Sequence, residues 1–234
     1  MAGQQPDHQV RLPVGRMGWK HTVFLHYRCD AEQIARLLPP GLTPHLFADQ
    51  AWLSVTPLVM HRVRPAGLPA PPRWSTFPEV NVRTYVRSPD GRDGLWFFTL
   101  QCPCRAMPVG LNPLGLPYRY RPAQFERGVD GRLSYCFHGK REHTLDVSPG
   151  EPVPQPSDLD AFLVGRWNAF SALPRVLLRF PVSHRPWPLQ DATGAGTMLE
   201  MPRDMGLPVL DTAPIVQYSP GVDVALAAPR PVRR

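Results

Sequence analysis

The chain has 234 residues and a formal net charge of +7, and all but two of its basic residues are arginine, Lys20 and Lys140 being the exceptions. The basic residues are scattered, with no run of five or six and no aromatic interleaving, so the charge does not point to nucleic acid. No stretch approaches about 18 consecutive apolar residues, which leaves no membrane-spanning helix to propose.

A single domain spanning residues 15–226 is expected from this length, with a disordered arm at 1–14 and a basic, Pro-rich tail at 227–234. The first residues lack the apolar core of a signal peptide, and Cys29, Cys102, Cys104 and Cys136 read as reduced thiols. Both features suit a cytoplasmic protein, and a homo-oligomer is left open.

In chain order, Trp19 to Tyr27 reads as a strand with Lys20, Thr22, Phe24 and His26 on one face. Asp30 is placed to cap a helix over 31–38, stopped by Pro39-Pro40-Gly41. A strand over 51–60 follows, in which Pro57 predicts an edge or a bulge. Residues 65–72 hold four prolines and a glycine and read as a loop.

The stretch from Phe77 to Tyr120 carries the functional argument. Residues 77–87 alternate, with Val80, Val82, Thr84 and Val86 on one side and Glu79, Asn81, Arg83 and Tyr85 on the other. After Ser88-Pro89-Asp90-Gly91, residues 95–100 are apolar on both faces, as a buried strand would be. The two form a hairpin whose Glu/Asn/Arg face then looks into an enclosed space, and an acid beside a guanidinium in a cavity suits a small-molecule site. Phe97 and Gln101 from the second strand are included in that site. The connection over 101–120 ends Gly115-Leu116-Pro117-Tyr118-Arg119-Tyr120, a long segment rich in hydrogen-bonding side chains.

Farther on, residues 124–127 and 133–138 read as a hairpin around Gly128-Val129-Asp130-Gly131, with a second turn at Gly139-Lys140. Residues 149–156 read as a Pro-rich linker, and Ser157 as the cap of a helix over 158–172 with Leu159, Phe162, Leu163, Trp167 and Phe170 on one face. His184 reads as a loop histidine packed on Trp187. Cys102-Pro103-Cys104 places two thiols two apart, but neither Cys29 nor Cys136 has a companion in a familiar ligand pattern, and no metal or other cofactor is expected.

Several motifs together resemble a known family: Tyr27-Arg28-Cys29-Asp30, Leu38-Pro39-Pro40-Gly41-Leu42, the run from Phe77 to Val86, Gly115-Leu116-Pro117-Tyr118, Pro186-Trp187-Pro188-Leu189 and Tyr218-Ser219-Pro220-Gly221-Val222-Asp223. In this order they are similar to the YqjF-like bacterial family, within the acetoacetate decarboxylase-like superfamily, over about residues 19–224. The resemblance implies a β-rich α+β fold, a cone-shaped antiparallel β-barrel enclosing a pocket, with a few outer helices.

In the decarboxylases a lysine forms a Schiff base with the keto acid, and the loop that bears it matches Gly115 to Tyr120. This chain has Tyr118 and Arg119 there, neither of which can form an imine. The decarboxylase glutamate of the central strand matches Glu79, and its first-strand arginine falls close to Lys20. The resemblance therefore implies a small-molecule-binding protein without Schiff-base chemistry. Glu79 is assigned proton transfer and Tyr118 hydrogen-bond donation, with Lys20, Asn81, Arg83, Phe97, Gln101 and Arg119 as substrate-binding residues. Isomerisation, cyclisation, dehydration or lyase-type elimination of a carbonyl- or carboxylate-bearing metabolite are the reactions such a set can run. A non-catalytic sensor or carrier is the alternative.

Overall fold

The structure, a computed structural model, describes residues 8–211 and 213–232. Its elements in chain order are β1 (Gly15–Cys29), α1 (Ala31–Arg36), β2 (Thr43–Pro44), β3 (Ala51–Pro65), β4 (Phe77–Arg87), β5 (Asp93–Cys102), α2 (Ala106–Leu111), β6 (Tyr118–Tyr120) and β7 (Ala123–Arg127). The second half contributes β8 (Leu133–Phe137), β9 (His143–Pro152), α3 (Asp158–Val164), β10 (Asn168–Leu173), β11 (Val176–Ser183), β12 (Gln190–Ala195), α4 (Met201–Asp204), β13 (Ile215–Leu226) and β14 (Arg230–Pro231). Strands dominate and the helices are one or two turns long, so the molecule is β-rich as expected.

The strands hydrogen-bond in the order β14-β11-β10-β5-β4-β3-β1-β13-β12-β9-β8-β7. A further pairing of Val182 with Leu226 and Ser183 with Ala225 joins β11 back to β13. Seven strands, β13, β1, β3, β4, β5, β10 and β11, thereby follow one another around a ring. All but one of these pairings are antiparallel; β10 runs parallel to β5 through Ala169 and Phe170. The remaining arm, β12 to β7, folds over the outer face of β1, β3 and β4. Val23, Leu25, Val55, Val80 and Val82 meet Leu133, Tyr135, Phe137, Leu145 and Val147 there, all buried. This explains why β4 is apolar along its valine face: the arm covers it, and water is excluded from both sides of the strand. The expectation placed that double burial on β5 instead, whose Trp96, Phe97 and Phe98 are only half-buried, whereas β4 is buried from Val80 through Val86.

Local rules set several ends. Asp30 accepts from Gln33 N–H at 2.8 Å and caps α1, which ends before Pro39. Ser157 and Asp160 form a reciprocal capping box on α3. The helix expected over 158–172 nevertheless stops at Val164, with Gly165 at its C-cap, and the chain re-extends as β10. Trp167 and Phe170, read as one helical face, are instead buried on opposite sides of an extended backbone, Trp167 against His184 and Phe170 beside Leu42 and Val86.

The linker expected over 149–156 is also revised. Residues 149–152 belong to β9, with Pro149 opposite Ala192 and Pro152 opposite Gln190, where a register shift accommodates the missing N–H groups. Part of the basic tail joins the sheet through β14, and Val232 N–H bonds to Leu177 O at 2.8 Å. The expected N-terminal arm lies outside the described residues up to residue 7, and residues 8–14 carry no helix or strand. No helix among the described residues is long and apolar enough to cross a membrane.

Candidate functional site

Inside the ring lies a cavity of about 140 Å³, lined chiefly by apolar and aromatic side chains. Strand alternation on β4 sends Glu79, Asn81 and Arg83 inward: Glu79 is opposite Leu58 on β3, and Asn81 and Arg83 are opposite Leu100 and Phe97 on β5. Tyr118 enters from β6, which runs parallel to β5 through the pairing of Leu100 with Tyr118. Glu79, Asn81, Arg83, Phe97 and Tyr118 therefore share one enclosed space, five of the eight residues singled out from sequence.

The other three do not reach it, for identifiable reasons. Lys20 is carried outward by a bulge in β1. Between the pairs Lys20↔Val59 and Leu25↔Val55 the strand holds one extra residue, and His21 adopts φ 48°. The bulge reverses the alternation, so Trp19, Thr22 and Phe24 point inward while Lys20 pairs with Asp223 at 3.0 Å on the outside. Gln101 is displaced in the same way. The register of β5 slips by one between Val82 and Arg83, leaving Phe98 as the extra residue. Leu100 then faces the cavity, and Gln101 points the other way to accept from Arg121 Nη1 at 2.6 Å. Arg119 simply alternates with Tyr118 and is exposed. A period-two reading of β1 and β5 could not anticipate either slip, although Pro57, which predicted a bulge, does lie on β3 opposite the one in β1.

The loop that delivers Tyr118 is pinned at several points. Asn112 grips the backbone of Tyr118 from both sides, its Nδ2 donating to the carbonyl and its Oδ1 accepting from the N–H, each at 3.0 Å. Ser171 donates to Leu114 O at 2.5 Å. Gly115 takes φ 78°, and a Cβ there would sit 2.8 Å from Ala172 O, so both conformation and space require glycine.

Tyr118 donates its O–H to Glu79 Oε2 at 3.1 Å, and the Asn81 amide also hydrogen-bonds to this carboxyl. Burial outweighs both bonds and lifts Glu79 from 4.5 to about 7. No carboxylate among the described residues pairs with Arg83. Its guanidinium lies over the Phe24 ring at 5.5 Å, hydrogen-bonds to Tyr85, and leaves Nε buried without a partner. Tyr85 is held in turn by Ser54 at 2.5 Å and His26 Nδ1 at 3.2 Å.

Sequence reasoning missed Arg166: on the helix expected there it falls on the same face as Leu159, Phe162 and Leu163, a charged residue amid an apolar stripe that was not singled out. After α3 ends, Arg166 turns inward, fully enclosed, with Nη1 on Asp93 and on His45 Nδ1 at 3.2 Å and its guanidinium 4.2 Å over Phe162. Its Nε and Nη2 have no partners. Gly165, a helix-stop signal, was the available clue. His184 lines the cavity as well as contacting Trp187, Trp19 and Trp167. Burial pushes it down to about 4, so it is neutral at physiological pH, with Nδ1 donating to Arg185 O at 2.7 Å.

Away from the cavity, Cys136, His138 and Glu142 bring ligand-type atoms within 4.8 Å of one another at the β8–β9 turn. Cys136 thus has a histidine companion that the sequence reading passed over. Arg121 donates to His138 O at 2.9 Å beside them, a positive neighbour that opposes a cation. All four cysteines are free thiols.

Comparison with known proteins places this geometry. The solved structure of the enduracididine biosynthesis enzyme MppR complexed with pyruvate superposes with a TM-score of 0.68 at 15% identity, covering 96% of this chain and 93% of that one. An acetoacetate decarboxylase-like enzyme from Sphingomonas wittichii RW1 gives 0.64 at 14% identity, with 95% and 94% covered. The acetoacetate decarboxylase of Legionella pneumophila gives 0.64 at 13%, with 97% and 92% covered. These likenesses establish an acetoacetate decarboxylase-like fold. The uncharacterized protein YqjF of Bacillus subtilis (strain 168) is 27% identical over 216 residues, 89% of this chain and 88% of its own. With residues 16–223 also matching DUF2071, described as "Uncharacterized conserved protein (COG2071)", the chain belongs to that family.

Proposed function

We propose that this protein is a cofactor-independent acid/base enzyme acting on a small carbonyl- or carboxylate-bearing metabolite, of isomerase, cyclase, dehydratase or lyase type. The observation that carries the reading is Glu79: a carboxyl buried in a ligand-sized cavity, held at about 7 and hydrogen-bonded to Tyr118. A group half-protonated near neutral pH can both give and take a proton during one turnover, which is where general acid/base catalysis is most effective. Had Glu79 been locked against Arg83, a structural or purely binding role would have been the better account. Instead Arg83 is free to hold an anion, and Tyr118 can donate to an oxygen on which charge develops.

Schiff-base decarboxylation is not part of this reading. By the resemblance, the lysine pair of the decarboxylase loop corresponds to Tyr118 and Arg119 here, neither of which can form an imine, and Lys20 faces outward in an ion pair with Asp223. The pyruvate carried by the MppR structure makes small keto acids the natural first panel. Deuterium incorporation from heavy water into the carbon next to the carbonyl, followed by proton NMR, tests the proposal. Wild-type protein should catalyse exchange on at least one keto acid, and Glu79→Gln should lower that rate by about 10²-fold or more, the usual size of a general-base contribution. Exchange by Glu79→Gln at the wild-type rate would refute the assignment. Ligand binding without exchange by the wild type would favour a sensor or carrier.

A further inference from the structure

Two guanidinium groups and one carboxylate meet at one end of the cavity. Arg83 and Arg166 are both buried, and among the described residues the one carboxylate bound to either is Asp93, on the Arg166 side. One positive charge is therefore left uncompensated in a water-poor space, a costly situation unless a counter-charge arrives. The N–H groups without partners, Arg83 Nε and Arg166 Nε and Nη2, are the donors that such a counter-charge would satisfy. A guanidinium presents its N–H groups as a planar fork that matches the two oxygens of a carboxylate.

The walls beside that end are aromatic. The Phe24 ring lies beneath the Arg83 guanidinium, Trp187 meets Phe24 edge-on at 5.2 Å, and Trp19 lies parallel to Trp187 at 6.0 Å and 10°. Phe97 stands directly across the ladder from Arg83. A flat ring placed among them gains edge-to-face or offset contacts beyond burial, which a saturated ring of similar size does not. The cavity's 140 Å³ also bounds the guest, since a space of that order takes up one benzene-sized ring.

We propose that the cavity binds an aromatic carboxylate, with its carboxylate on Arg83 and Arg166 and its ring among Phe24, Trp19, Trp187 and Phe97. This specifies the substrate class for the acid/base reading and rests on it for the identity of the site. Along β4, Glu79 lies four residues from Arg83 on the same face, about 13 Å of strand at ~3.3 Å per residue. The ligand's acid end is thus anchored at a different level of β4 from the proton-transfer group, with the rest of the ligand extending toward Glu79.

Isothermal titration with benzoate, benzamide and cyclohexanecarboxylate tests the assignment without a variant. Benzoate should bind at least tenfold more tightly than either of the others. Equal binding of benzamide would overturn the charge argument, equal binding of cyclohexanecarboxylate the ring argument, and failure of benzoate to bind at millimolar concentration both. Arg83→Met should abolish the preference for benzoate over benzamide while its thermal midpoint stays at or above wild type; a variant that keeps the preference would refute the placement. Benzoate binding to Glu79→Gln separates the two proposals. If benzoate binds that variant and its keto-acid exchange is undiminished, the acid/base reading fails and the ligand class stands.

Discussion

Replacing Glu79 with glutamine gives a measurement of the cavity's electrostatics that needs no substrate. In the folded protein the carboxyl is held at about 7, against 4.5 when free in solution. Between those values the folded chain binds more protons at this position than the unfolded chain, so stability must fall as pH rises. The contribution is fully present below about pH 4.5 and is lost above about pH 7. A gap of about 2.5 pH units at ~1.36 kcal/mol each amounts to about 3 kcal/mol. Glutamine keeps the shape and still accepts from the Tyr118 O–H, but it does not titrate.

Urea unfolding of both proteins from pH 4 to pH 8 should show wild type losing about 3 kcal/mol relative to Glu79→Gln across that range. The buried histidines His26 and His184, pushed down to about 3 and about 4, act in the opposite sense, gaining stability as pH rises toward their unfolded values. They do so in both proteins and cancel in the difference. Parallel curves would refute the raised value. A difference that grew in favour of wild type with rising pH would mean that Glu79 is charged and paired, contrary to the geometry.

Three further outcomes are expected. Gly115→Ala should destabilise the fold by about 1–3 kcal/mol in urea, since it forces a side chain into a left-handed backbone position and against Ala172 O; a neutral substitution would show that the loop bearing Tyr118 is not held as described. Thiol titration of native protein should label Cys104 and Cys136 readily and spare buried Cys29 and Cys102, both pushed up to about 12, whereas denatured, unreduced protein should show four reactive groups; two groups after denaturation would reveal a disulfide. Borohydride treatment in the presence of acetoacetate should leave the mass of the protein unchanged, and an adduct on Lys20 would restore the imine route.

Much of the site was legible because β4 is regular. Its alternation alone put Glu79, Asn81 and Arg83 together and Val80 and Val82 on the covered face, and the structure places them so. Lys20 and Gln101 were misplaced because a bulge adds one residue without leaving a compositional trace at its own position; His21 and Phe98 are ordinary strand residues. Only Pro57, on the neighbouring strand, signalled that the ladder beside it was interrupted. Arg166 was hidden by an ambiguity of a different kind. Leu159, Phe162 and Leu163 continue through Trp167 and Phe170 in helical spacing, and only Gly165 marks where the helix yields to a strand. The ring closure between β11 and β13 depends on pairing of residues more than forty apart in sequence, which no local pattern encodes.

The bulge at His21 also acts as a phase switch between two halves of one strand. From Thr22 to Cys29, β1 is locked by Val23, Leu25 and Tyr27, each fully buried under the arm, so that half cannot rotate. A shift of one residue in the phase of the other half would bring the Lys20 ammonium to the inner face and turn Trp19 outward. An amine would enter an apolar chamber already furnished with a carboxyl, a phenol and two guanidinium groups, and desolvation there would favour its neutral, nucleophilic form. In this architecture one residue of strand phase, with no change of composition, separates a chamber without an amine from one that contains it.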